Sequence, residues 1–156
     1  MTTTPARPRR APHRDDDLIS ATFEIKQRPP DEPPPPEDGN KVGVMRRRTR
    51  ERLSARGLAY VAEEAALIVS ELVTNAIVHS GGRVITVALS LRAGFLRIDV
   101  RDGVPSFHAL PRASCDADEN GRGLVLVQSL AEERRGSWGV EDGGATTWCE
   151  LSLAAS

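Results

Sequence analysis

EAALIVSELVTNAIVHS, residues 64–80, places two polar side chains inside an otherwise apolar helical pattern, and the rest of the chain is read outward from it. Leu67, Ile68, Val69, Leu72, Val73, Ala76 and Ile77 cover nearly the whole circumference of a 3.6-residue spiral, which predicts a helix packed into a fold rather than lying on one. Glu71 and Asn75 sit one turn apart, so the carboxylate and the amide point the same way. A buried carboxylate without a partner is costly or becomes neutral. Two oxygen-bearing side chains on one stripe suit a hard cation such as Mg²⁺, which keeps several waters and shares its shell with substrate phosphates. The pair alone is also compatible with Glu71 reaching solvent at the helix edge and Asn75 bonding a neighbouring loop.

Three later segments stand in the order that completes a nucleotide site. RVITVALSL (83–91) and FLRIDVR (95–101) alternate apolar and polar residues around the turn Arg92-Ala93-Gly94, which predicts a hairpin of two half-buried strands. The second strand runs into Asp102-Gly103. A carboxylate at a strand end, beside a glycine that frees the backbone, can accept a hydrogen bond from an exocyclic amine such as that of adenine, although Asp-Gly is also a common plain turn. The polar stretch 104–120 is long for a connection in a small domain and reads as a lid or as disorder. It leads into GRGLVLVQSLAEERR (121–135), where Gly121, Arg122 and Gly123 open an apolar helix whose free N–H groups and positive end form an anion site. SWGVE (137–141) and ATTWCELSL (145–153) close the chain as two strands around Asp142-Gly143-Gly144.

Taken in series, ELVTN (71–75), Asp102-Gly103, Gly121-Arg122-Gly123-Leu124 and GGATTWCEL (143–151) resemble the ATP-binding domain shared by DNA gyrase, histidine kinases and the anti-sigma factor serine kinases, the GHKL or Bergerat fold. The likeness covers residues 42–153, and VGVMRRRTRERL (42–53) resembles the first helix of the anti-sigma branch. The resemblance implies ATP and Mg²⁺ as cofactors. It implies Glu71 as general base or water-positioning carboxylate, Asn75 as magnesium ligand and Asp102, beside Gly103, as partner of the adenine amino group. Gly121, Arg122 and Gly123, with Leu124 behind them, would wrap the phosphates, and Thr146 would support adenine through a water. The chain departs from the family at Val104, where a glycine is usual, and at Pro105 after it.

The expected fold is an α/β two-layer sandwich, with a mixed, mostly antiparallel sheet of four or five strands covered on one face by three helices. The expected function is that of an ATP-binding regulator of transcription of the anti-sigma type. It would act as a transferase on Ser/Thr of an antagonist protein, with a sigma factor as the other partner, and a homodimer is one state the resemblance allows. The alternative is a non-catalytic module whose partner affinity is set by nucleotide. A fragment of a sensor histidine kinase fits less well, because no helix bearing a phosphoacceptor precedes the domain.

Composition bounds these expectations. The net charge of −1 gives no global attraction to nucleic acid or membrane. Neither a long uncharged apolar run nor a signal-type N-terminus is present, so the expected compartment is the cytoplasm. Cys115 and Cys149 are too few for a disulfide framework or a zinc site and read as free thiols. The only lysines, Lys26 and Lys41, do not follow a glycine-rich loop, which argues against a P-loop.

Nine of the eleven prolines lie in residues 1–36, so residues 1–40 read as a mostly disordered tail with an edge strand at 22–26, and 41–153 as the ATP-binding domain. Arg7, Arg9, Arg10 and Arg14 in the tail read as solvated charges, with an acidic partner as the alternative. Val42, Met45, Thr49 and Leu53 mark the inner face of the first helix, and Arg46, Arg47, Arg48, Arg50 and Arg52 either solvate its outer face or dock a partner. In the anti-sigma kinases an arginine on this helix contacts the antagonist. His79 and His108 have no adjacent aspartate or nucleophile and read as non-catalytic.

Overall fold

Period-two alternation builds the sheet. In a computed structural model of the chain, β2 (Val84–Arg92) and β3 (Phe95–Arg101) pair antiparallel, with Ile85, Val87, Leu89 and Leu91 buried on one strand and Leu96, Ile98 and Val100 on the other. Their turn holds Ala93 at φ 52° and Gly94 at φ 85°, the left-handed pair that matches strand twist in a tight hairpin. The described residues are 16–25, 32, 33, 35–79, 84–103 and 119–154, with main chain only at 79 and 119–122.

β5 (Thr146–Ser152) pairs with β3, β4 (Ser137–Glu141) with β5, and β1 (Asp16–Glu24) with β2, giving the order β1-β2-β3-β5-β4. The result is the expected α/β sandwich, but all four pairings are antiparallel, so the sheet is not mixed among the described residues. β1 begins earlier than the 22–26 stretch read from the sequence. Its register shifts between Asp17 and Ile19, which turns Leu18 and Ile19 both inward and hides the alternation. Asp16, Asp17 and Glu24 on this edge strand discourage pairing with another chain.

Three helices pack on the inner face. α1 (Pro36–Ala55) starts inside the proline-rich stretch, with proline in its first turn and Glu37 and Asp38 facing the positive end of the dipole. Val42, Met45, Thr49 and Leu53 are its buried stripe, as their spacing predicts. It ends in a Schellman motif: Leu58 N–H donates to Leu53 O at 2.8 Å and Gly57 N–H to Ser54 O at 3.1 Å, with Gly57 at φ 76°. Leu53 and Leu58, the hydrophobic pair of that motif, are both fully buried. α2 (Ala59–His79) buries Val61, Ala65, Ile68, Val69, Leu72, Val73 and Ile77. α3 (Glu119–Glu133) buries Leu124, Val127 and Ala131 at helical spacing. Each fully buried Leu or Ile contributes about 1.5–3 kcal/mol relative to exposure.

On the opposite sheet face a single charge network spans three strands. Arg97 hydrogen-bonds Asp99 at 3.1 Å, Glu141 at 3.0 Å and Glu150 at 3.3 Å, and stacks over the Trp148 ring at 4.6 Å. Partial burial pulls its pKa down, but the hydrogen bonds to the three carboxylates outweigh this and hold it above the ordinary arginine value. No helix among the described residues is long and apolar enough to cross a membrane.

Candidate functional site

Glu71 and Asn75 lie in the fourth and fifth turns of α2, most of whose apolar residues are taken up by α1, α3 and the sheet, with Leu67 left exposed. Both are half-buried, and neither side chain has a hydrogen-bond or ion-pair partner among the described residues. Other partly buried polar groups of the helices are matched: Arg134 with Glu64, and Arg46 with Ser70. A carboxylate and an amide on one stripe, both without partners among the described residues, suit an oxygen-seeking ligand. No group of three or more His, Cys, Asp or Glu residues is arranged to hold a metal among the described residues. A cation that keeps most of its water and takes one protein ligand, as Mg²⁺ does, is the kind this donor set suits.

α3 approaches the same stripe. At Gly123 the backbone passes so close to α2 that an added Cβ would stand 2.5 Å from Glu71 Oε1. α3 begins at Glu119, two residues before the start that Gly121 suggests, so of the three only Gly121 is among the first N–H groups that lack intrahelical acceptors, while those of Arg122 and Gly123 fall within the helical ladder. Leu124, next in sequence, is buried and fixes the helix on the core.

At the end of β3, Asp102 N–H donates to Ala145 O at 2.9 Å and Gly103 N–H to the same oxygen at 3.4 Å. Gly103 has φ 74°, a conformation that a side chain would strain. Alternation from Val100 puts Asp102 on the inner, helix-bearing side of the sheet, half-buried. Thr146 is placed elsewhere. It pairs with Arg101 on the outer face, where its hydroxyl is bonded to Asp142 at 3.3 Å and accepts from Arg101 at 3.3 Å. The threonine that shares the inner face is Thr147, opposite Val100 and in line with buried Cys149 and Leu151. The alternation of Thr147, Cys149 and Leu151 is the sequence signal that finds it.

A groove of about 610 Å³ flanks the site between α1 and α2. Thr74, Ile77 and Val78 line it from α2, while Gly39, Gly43 and Arg46 line it from α1. Added Cβ atoms on Gly39 and Gly43 would meet only open space, so these glycines keep the groove wide. Arg46 Nε donates to Ser70 Oγ at 2.8 Å, and the Ser70 hydroxyl donates to Ala66 O at 2.9 Å, which fixes the guanidinium at the groove. Ser70 was silent in the sequence, since its partner lies on another helix.

Cys149 is a free thiol, fully buried; burial, with Glu150 nearby, pushes its pKa up to about 12, which leaves it unreactive near neutrality. The lid stretch with Val104, Pro105, His108, Arg112 and Cys115, the tail before residue 16, and the side chains of Arg122 and His79 lie outside the described residues.

Residues 35–149 match the family model of the histidine kinase-like ATPase domain. The comparison with curated proteins found no match. Because the match runs from the start of α1 through most of β5, well over half of the chain, this protein belongs to the histidine kinase-like ATPase domain family, in which ATP binding is the shared activity.

Proposed function

We propose that the protein is a Mg·ATP-binding regulator of the anti-sigma factor type that phosphorylates a serine or threonine of an antagonist protein. The observation that carries this reading is the half-buried Glu71 carboxylate, which has no partner among the described residues and stands against Gly123 of α3. Asn75 would hold the metal, and Asp102 would accept from the adenine amino group. Thr147 is better placed than Thr146 to support the base, being on the inner face. The free amides of the first turn of α3, up to Gly121, would hold the phosphates. Bound Mg²⁺ supplies charge neutralisation of the β- and γ-phosphates. Glu71 would take the proton of an acceptor hydroxyl that enters along the groove, where Arg46, held by Ser70, offers an anchor for an acidic group of the antagonist.

The second reading, a nucleotide-dependent binding module without transfer, is favoured by Val104 at a position where the family has glycine. Incubation with ATP labelled in the γ-phosphate and candidate antagonists separates the two. In the kinase reading, Glu71→Gln keeps ATP binding while transfer falls by about 10²–10⁴-fold. Loss of binding together with activity would make Glu71 a structural residue, and partner affinity that responds to nucleotide without label transfer would leave only the binding module.

A further inference from the structure

We propose that Gly123 is a positioning residue for Glu71: by lacking a side chain it leaves the space in which the Glu71 carboxylate rests, and so ties the seating of α3 to the group that handles the proton. The inference rests on the reading of Glu71 as the base.

Gly123 has no conformational need to be glycine. It lies inside α3 and is not among the glycines of positive φ, and glycine inside a helix is weaker than alanine. What sets it apart is its neighbour. A Cβ there would fall 2.5 Å from Glu71 Oε1 and 3.6 Å from Glu71 Cδ, the only atoms outside its own helix and among the described residues that it would approach within 4 Å. The first distance is about 1 Å inside ordinary contact.

Something must therefore move in an alanine variant, and the packing decides what. α3 is pinned through Leu124, Val127 and Ala131, all nearly or fully buried. α2 is pinned through Ile68, Leu72 and Val73 on either side of Glu71. The carboxylate, at the end of a flexible side chain and without a hydrogen bond among the described residues, is the element that yields. A methyl at 123 would displace it by about 1 Å while leaving the helices in place, and a displacement of that size in a reacting group costs on the order of 10²-fold in rate.

The test uses the full chain with Gly123→Ala, alone and with Glu71→Gln. In carboxyl ¹³C spectra without nucleotide, the Glu71 resonance, identified by its loss in Glu71→Gln, should shift in Gly123→Ala while the other glutamates hold. An unmoved resonance overturns the proposal whether or not the protein transfers phosphate. Where transfer is measurable, Gly123→Ala should lower it by roughly 10–10²-fold and should add nothing further on top of Glu71→Gln. A persistent drop in the Glu71→Gln background would mean that Gly123 acts other than through Glu71 and would overturn the coupling. If the wild-type protein transfers no phosphate, the kinase reading fails by itself and the resonance still decides the role of Gly123. Should Gly123→Ala not fold, adding Glu71→Asp, one methylene shorter, should restore folding; if the double variant also fails, the methyl meets something other than Glu71 and the proposal falls.

Discussion

The two ends of α3 differ in what the described residues place against them. At its C-terminus, Gly136 N–H donates to Ala131 O at 2.7 Å and Arg135 N–H to Glu132 O at 3.0 Å, closing a Schellman motif with Arg135 at φ 54°. Arg134 adds bonds to Glu64 at 2.9 Å and to Tyr60 O at 3.0 Å, and its own carbonyl accepts from Ser152 N–H at 3.0 Å. Tyr60 OH in turn donates to Leu153 O at 3.2 Å. That end is stitched to the start of α2 and the end of β5. The other end meets α2 where Gly123 faces the Glu71 carboxylate, which has no partner among the described residues. The contrast teaches that the helix is anchored far from the candidate site, and that at the site it is fitted to a polar group the described fold does not satisfy.

The anchor should break most visibly at Gly136. A Cβ there would collide with the carbonyl of Glu150, which β5 cannot move without disturbing its pairing with β3 and β4. Gly136→Ala is expected to destabilise the protein by about 3 kcal/mol or more, read as a lowered urea midpoint. A loss below about 1 kcal/mol would mean that this end is not the anchor. Arg134→Ala comes next, at about 1.5–3 kcal/mol, because its ion pair with Glu64 is only 26 % and 27 % exposed and leaves a carboxylate behind. If the clasp acts as a unit, Glu64→Gln added to Arg134→Ala should cost much less than the two changes separately.

The site end should respond in a different currency. Asn75→Ala should weaken Mg-dependent ATP binding by 10- to 100-fold, roughly 1.4–2.8 kcal/mol, while the unfolding midpoint without ligand stays within about 0.5 kcal/mol. Calorimetry with and without Mg²⁺ gives the first number and urea melts the second. Equal ATP affinity in the two proteins would remove the metal role, and a large loss of stability would place Asn75 in the scaffold instead.

How far each end was legible follows from the range of the interactions. The hairpin of β2 and β3 was open to reading because its alternation is uninterrupted, and α2 because its apolar residues recur at helical spacing around Glu71 and Asn75. β1 was masked by its bulge, and the start of α1 by a proline run that reads as linker although proline suits the first helical turn. Strand alternation sets Thr147 on the inner face and Thr146 on the outer one, a difference that the two identical residue types do not show by themselves. The approach of Gly123 to Glu71 and the clasp of Arg134, Glu64 and Tyr60 join residues far apart in sequence, and neither residue types nor spacing signal such contacts.

The smallest expected effect sharpens the anchor rather than breaking it. α1 and α3 end in the same Schellman motif, but α1 places Gly57 in the left-handed position at φ 76°, whereas α3 places Arg135 there at φ 54°. A side chain in that conformation costs roughly 1–2 kcal/mol, and the exposed Arg135 side chain shows no ion pair or hydrogen bond among the described residues to offset it. Arg135→Gly relieves this strain but also gives the unfolded chain more freedom, which opposes folding by a few tenths of a kcal/mol to about 1 kcal/mol. The net expectation is a gain of about 0.5–1 kcal/mol, seen as a melting temperature about 1–4 °C higher, with Mg·ATP affinity unchanged because the change sits at the end of α3 remote from Gly123. Destabilisation instead would show that Arg135 contributes through its side chain, and the clasp would then have to include it.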